Sequence, residues 1–219
     1  MIPIIYENDE IIIINKPAGL AVQGGQGVVH SVDRDFAEQL GYKIYLVHRL
    51  DKDTAGLMVV AKNPVAAGKW TKLIASKIVK KEYLALCVGQ LSSKEGIINE
   101  TIVQHGENKS AVTKYRVEQE ADILSGSDNG QQGVDKLHMS LIRLILETGR
   151  MHQIRIHLAK NGCPIAGDDQ HGNFKLNKQI KKQLGIKKLQ LAAVRLTIPL
   201  ENKAVTFEIP YPFDFKLVD

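Results

Sequence analysis

The sequence predicts an α+β fold with a mixed, mainly antiparallel sheet. Three observations predict it. Short stretches with strand character outnumber helical ones, they often follow one another directly, and a helical period is confined to three segments. The chain has 219 residues, 44% apolar and 24% charged, an ordinary globular composition. It reads as one domain over residues 1–219, with no linker long enough to separate two independent domains. No apolar run approaches the roughly 18 residues a spanning helix needs, so a membrane protein is excluded.

The elements follow in order. IPIIYE and EIIIINK read as two short strands about the turn pair Asn8-Asp9. Residues 57–61, LMVVA, read as a buried strand. Residues 64–79 read as a helix, with Ala66, Trp70, Leu73, Ile74 and Ile78 inward and lysines outward. EYLALCVG is a strand. VTKYRVE and KLHMSLIRLILE are long strands rich in β-branched residues, flanking an acidic, Gly-rich, turn-like stretch at 120–135. RMHQIRIHLAKNG, 150–162, reads as a helix stopped at Gly162. Residues 175–184 make a short helix with Leu176, Ile180 and Leu184 inward, and LQLAAVRLTIPL and AVTFEIP close the chain as strands.

The formal net charge is +5, and it is unevenly spread. Residues 1–40 carry Glu7, Asp9, Glu10, Asp33, Asp35 and Glu38 against Lys16 and Arg34. Residues 62–81 carry Lys62, Lys69, Lys72, Lys77, Lys80 and Lys81 without an acid, and 175–188 carry Lys175, Lys178, Lys181, Lys182, Lys187 and Lys188, again without one. Two basic segments on a mixed surface suit an anionic partner. The N-terminus has neither a basic n-region nor a small-residue cleavage site. Cys87 and Cys163 sit among apolar neighbours and read as reduced thiols, so a cytoplasmic, monomeric protein is expected.

Three segments hold candidate chemistry. In VHRLDKDTAG, 47–56, the cations His48 and Arg49 precede Asp51 on a tight loop entering a buried strand, where a rigid scaffold holds a carboxylate still. The same residues also allow Asp51 to cap a turn or pair with Arg49. In ETGRMHQIRIHLAKNG, 147–162, Arg150, His152, Gln153, Arg155 and His157 crowd one helix start, with His152 and Arg155 on a shared face. His152 and His157 lie roughly 140° apart on a helix, and no metal-ligand spacing is present. In KKEYLALCVG, Tyr83 sits on an apolar strand and by itself reads as a core or edge tyrosine. No GxGxxG, Walker loop or GxSxG elbow occurs, and no cofactor is expected.

Together these segments resemble the RluA-type pseudouridine synthases. NKPAGL at 15–20, HRLDKDTAGLMVVAKN at 48–63, KKEYLALCVG at 80–89, KSAVTKYRV at 109–117, TGRMHQIRIHLAKNGCPIAGD at 148–168 and LQLAAVRLTIP at 189–199 match the family's motifs in order along nearly the whole chain. Ala55 stands where the family usually has Ser, His171 lies near a position often occupied by Tyr, and a His often found in the LQLAAVRL region is missing. Many relatives carry an N-terminal S4 RNA-binding domain, whereas this sequence starts at the catalytic motifs and is expected to grip RNA with them alone.

The resemblance implies the pseudouridine synthase fold with a central active-site cleft, and isomerisation of uridine to pseudouridine in structured RNA, ribosomal or transfer. Asp51 is implied as the nucleophile or base. Arg155 would keep that carboxylate ionised, and Tyr83 would stack on the uracil and take the proton from carbon 5. Ile154 would line the base pocket, while His48 and Arg49 would fill the space left by a flipped-out uridine or hold neighbouring phosphates. Pro17 and Gly19 would buttress the site. The lysine clusters would supply phosphate contacts. Two other readings stay open: a non-catalytic RNA-binding module, and a glycosidic-bond hydrolase using Asp51 and Asp53.

Overall fold

In a computed structural model the described residues are 1–125, 135–201 and 203–213. The chain divides into two compact units. The first comprises Met1–Tyr83 with Ala192–Pro212, and the second is built on Leu84–Leu191.

In the first unit, β1 (Ile4–Glu7) and β2 (Ile11–Lys16) form the expected hairpin, closed by the Asn8 side chain accepting from the N–H groups of Glu10 and Ile11. β2 lies between β1 and β4 (Ala55–Ala61). That central position explains why Ile11, Ile12, Ile13 and Ile14 are all fully buried rather than alternating. β3 (Tyr45–Leu46) pairs with β4, and β10 (Lys203–Glu208) with β9 (Leu191–Leu200). A π-helical turn at Val32–Phe36 runs into the single turn α1 (Ala37–Leu40).

α2 (Pro64–Ala75) starts where Asn63 caps the Ala66 N–H and Pro64 takes the first turn. It buries Ala66 and Trp70, and the Trp70 indole N–H donates to Glu10 at 2.9 Å. The helix is shorter than the sequence suggests. Lys77 adopts a left-handed φ of 60° just past its end, so Ile78 falls outside it and is 51% exposed.

One glycine sets the entry to β4. Gly56 has φ +112°, and a Cβ there would lie 2.2 Å from the Ala193 carbonyl oxygen. Ala55 and Gly56 pair in parallel with Ala192 and Ala193 of β9. Only a residue without a side chain lets β9 approach this closely while the chain turns from the Asp51 loop into the strand.

In the second unit, β5 (Lys80–Val88, of which Leu84–Val88 belong here), β8 (Asp135–Leu146), β7 (Glu107–Ser125) and β6 (Glu95–Gln104) lie side by side in that order. β6 and β7 form a hairpin over the His105-Gly106 turn, both residues at positive φ. Much of the stretch read as an acidic turn is strand. Glu120 pairs with Ser140 and Asp122 with His138, and only residues 126–134 of that stretch lie outside the described residues. α3 (Gln153–Lys160) is tied to β6 by Asn161 donating to Glu100 and Lys160 donating to the Thr101 carbonyl. α4 (Phe174–Leu184) is capped by Asn173 and ended by Gly185 at φ 69°. Among the described residues, no helix is long and apolar enough to cross a membrane.

Candidate active site

The Asp51 loop belongs to the first unit. The Thr54 N–H donates to the Asp51 carbonyl at 3.1 Å, which closes a turn and delivers the half-buried Asp51 side chain just ahead of β4. A residue the sequence does not mark as functional holds this loop. Lys16 is fully buried at the end of β2, and its ammonium donates to the carbonyls of Pro17 at 3.0 Å, Leu20 at 2.8 Å and Lys52 at 2.9 Å. The Gly19 N–H donates to the same Lys52 carbonyl at 2.9 Å. The NKPAGL turn is thereby stapled to the loop carrying Asp51. Burial pulls the Lys16 pKa down to about 8, against the nearby charges of Asp53 and Asp51, which raise it. Three backbone acceptors and two carboxylates compensate an ammonium taken out of water. Only the NKP sequence in front of a Gly turn could have signalled this, and it carries no hint of Lys52.

Tyr83, on β5, belongs to the same unit and is 5% exposed. Burial pushes its phenol well above the usual tyrosine range, and the Asp51 charge adds to that rise. Asp51 and Tyr83 are thus close enough to interact electrostatically, and Tyr83 rests as a neutral phenol.

His48 differs from the expected cation. Its Nε2 accepts from the Val59 N–H at 3.0 Å, which places the proton of the neutral ring on Nδ1. Burial, and then Lys81, lower its pKa to about 3. At neutral pH it carries no charge, and its Nδ1 is buried. Arg49, next along the chain, is exposed.

Ile154 and Arg155 sit in the second unit on the first turn of α3, 4% and 2% exposed. The helix begins later than its sequence pattern suggests, because His152 is its N-cap in a left-handed conformation, φ 55°. Such backbone in a non-glycine residue is costly and often found at functional sites. His152 Nδ1 lies 2.8 Å from His171 Nε2, one ring donating to the other. Arg155 makes a buried two-point contact with Asp168, Nε to Oδ2 at 2.8 Å and Nη2 to Oδ1 at 2.6 Å. Asp168 also accepts from the N–H groups of Gln170 and His171. Burial alone would raise the Asp168 carboxyl, but Arg155 and these N–H groups outweigh it and hold the carboxyl below the ordinary range. The guanidinium plane is therefore locked along one edge.

Two of the five polar residues crowding this segment serve the scaffold. Gln153 donates to the Val112 carbonyl and Thr113 Oγ1, and accepts from the Arg150 N–H and the Thr148 hydroxyl. His157 Nδ1 meets the same Thr113 hydroxyl at 2.9 Å, and burial lowers its pKa. Thr113 is fully buried on β7, so these two side chains fasten α3 to the sheet. Among the described residues, no group of three or more His, Cys, Asp or Glu is arranged to hold a metal ion.

Comparison with known proteins identifies the class. Residues 10–160 match the model of a family described as RNA pseudouridylate synthase. Ribosomal large subunit pseudouridine synthase C of Rickettsia bellii is 38% identical over 229 residues, covering 98% of this chain and 70% of that protein. An uncharacterised RNA pseudouridine synthase of Bacillus subtilis is 34% identical over 228 residues, covering 97% and 70%. Among solved structures, Human RNA Pseudouridylate Synthase Domain Containing 4 is similar with a TM-score of 0.73 at 27% identity, covering 95% of this chain and 88% of that one. The chain belongs to the RNA pseudouridylate synthase family. It is an isomerase that converts uridine to pseudouridine in RNA, and the α+β fold with a mixed sheet expected from the sequence is that of its structural neighbours.

Proposed function

We propose that this enzyme modifies a uridine in structured RNA of the large ribosomal subunit, with Asp51, Tyr83 and Arg155 as its catalytic residues. The observation that carries the site assignment is the first unit's placement of Asp51 on a loop stapled by buried Lys16, with its charge acting on buried Tyr83. The ribosomal assignment is supported by the names of the relatives, several of which are ribosomal large subunit pseudouridine synthases.

In the reaction the bond from ribose C1′ to N1 breaks, the uracil turns, a bond from C1′ to C5 forms, and the proton leaving C5 is balanced by one gained at N1. Asp51 acts as nucleophile or base toward the flipped-out nucleotide. Tyr83 offers a flat neutral ring for stacking. A phenol this hard to ionise does not wait as a phenolate, so it accepts the C5 proton only by passing on its own, and Asp51 is the nearby carboxylate that can take it. Arg155 supplies a guanidinium whose orientation Asp168 fixes. Ile154 gives an apolar wall to the base pocket. His48 serves substrate binding as a neutral ring and Arg49 as a cation.

The enzyme is proposed to act as a cytoplasmic monomer, a setting in which its free buried thiols, Cys87 and Cys163, stay reduced. Mapping pseudouridine in total RNA from cells with and without the gene tests the proposal. One or a few positions in large-subunit ribosomal RNA should lose the modification. An unchanged ribosomal map, or loss confined to transfer RNA, overturns the ribosomal assignment. Release of free uracil by the purified protein would instead favour hydrolysis through Asp51 and Asp53.

A further inference from the structure

The two lysine clusters are not equivalent once folded. Around α2, Lys62 pairs with Glu7 at 2.6 Å and Lys69 with Glu10 at 2.8 Å, while burial lowers the pKa of Lys81. Glu7 at the end of β1 and Glu10 in the β1–β2 turn thus cancel part of that cluster. The second cluster has no such neighbours in sequence. Between Gln170 and Leu200 there is no acidic residue, and Lys175, Lys178, Lys181, Lys182, Lys187 and Lys188 are all exposed.

α4 sorts its side chains sharply. At about 100° per residue, Phe174, Lys175, Lys178, Lys181 and Lys182 fall within an arc of about 120°, and each is exposed. Leu176, Asn177, Ile180 and Leu184 occupy the opposite side, where Ile180 is fully buried. Phe174 is 82% exposed at the head of the lysine arc. A single exposed apolar residue is unremarkable, but an aromatic ring set into a stripe of cations has both parts of a surface for unpaired nucleic acid: charges for phosphates and a face for a base.

The inner side is anchored to the loop that positions Arg155. Asn177 donates to the Asp168 carbonyl at 2.6 Å and accepts from the Gly167 N–H at 3.1 Å, and Asp168 grips Arg155. A ligand on the outer face of α4 is therefore held in a fixed relation to the catalytic guanidinium of the same unit.

We infer that the outer face of α4 is an RNA-docking surface, on which Phe174 stacks against an unpaired base flanking the target while the lysine stripe contacts the phosphates on either side. The inference rests on the proposed action on structured RNA and adds which surface grips it and by what chemistry. RNA is favoured over an acidic protein surface because the exposed ring lies within the cation stripe.

The test is equilibrium binding of the full chain to a single-stranded oligoribonucleotide and to an RNA duplex across a potassium chloride series. The proteins are wild type, Phe174→Ala and the triple variant Lys175→Gln/Lys178→Gln/Lys181→Gln, each checked for native circular dichroism. The triple variant should reduce the slope of log Kd against log salt by about 2 to 3, at roughly 0.7–0.9 per lost phosphate contact. Phe174→Ala should weaken single-stranded binding by about 5- to 150-fold, the range for one stacked base, and leave duplex binding within about twofold. An unchanged slope in the triple variant overturns the docking surface, and wild-type single-strand affinity in Phe174→Ala overturns the stacking role. The same wild-type preparation is assayed for pseudouridine formation on ribosomal RNA. Failure there removes the ribosomal assignment and leaves the binding result to stand or fall alone.

Discussion

Replacing Lys16 by Met retains an unbranched chain in the core but removes the ammonium that joins the NKPAGL turn to the Asp51 loop. Three hydrogen bonds from a charged donor to the carbonyls of Pro17, Leu20 and Lys52 are lost, worth about 1.5–3 kcal/mol each, or roughly 5–9 in sum. Against this stands the burial cost of the charge. A pKa drawn from 10.5 to about 8 corresponds to about 3 kcal/mol at neutral pH. The net destabilisation at pH 7 is therefore about 2–6 kcal/mol, and urea unfolding measures it.

The pH dependence provides a second reading of the same variant. The unfolded chain keeps the Lys16 proton up to about pH 10.5, whereas the folded protein releases it near 8. In that window the unfolded state binds more protons, so this group makes wild-type stability rise with pH. Between pH 7 and 9.5 wild type should gain about 2 kcal/mol on Lys16→Met. A displaced Asp51 loop should also lower turnover by about 10- to 100-fold. A variant that matches wild type within about 0.5 kcal/mol at both pH values would refute the staple.

Gly56→Ala should lower Tm by about 6–12 °C or more, since a left-handed backbone and a Cβ 2.2 Å from the Ala193 oxygen together cost upward of about 3 kcal/mol. Calorimetry checks this, and a wild-type Tm contradicts it. The His48 ring resonances should not titrate between pH 5 and 8, because its folded pKa is about 3, and a midpoint near 6.5 would contradict the buried neutral ring. The unfolded chain takes up that proton near pH 6.5, so stability should fall as the pH drops from about 6.5 toward 3. Tyr83→Phe keeps the stacking face and loses the hydroxyl, so RNA affinity should hold while single-turnover rate drops on the order of 100-fold.

What the sequence reveals depends on how local the signal is. β2 and β4 are legible because runs of Ile and Val, buried on both sides, leave no other reading. β6 is missed because Ile98 and Ile102 point inward among Gly96, Asn99 and Glu100, too sparse an alternation to stand out. The late start of α3 depends on one left-handed residue, His152, which composition does not announce. Asp51, Tyr83 and Arg155 are proposed as catalytic residues only through resemblance to a family, since each alone suits a turn, a core or a surface. Lys16 and Asp168 are invisible to local pattern because their partners, Lys52 and Arg155, lie 36 and 13 residues away in sequence. The charge of His48 is misjudged for the same reason: the burial and the Lys81 charge that keep it neutral exist only in the folded chain.

The proposed role of Asp51 as the reacting carboxylate has a direct test. Asp51→Asn changes a carboxylate into an amide of the same shape. The direct measurement is single-turnover pseudouridine formation on large-subunit ribosomal RNA, made alongside the Kd for the same RNA. No product above background is expected, with affinity within about twofold of wild type, since phosphate contacts dominate affinity for nucleic acid. Robust pseudouridine formation by that variant would contradict that role.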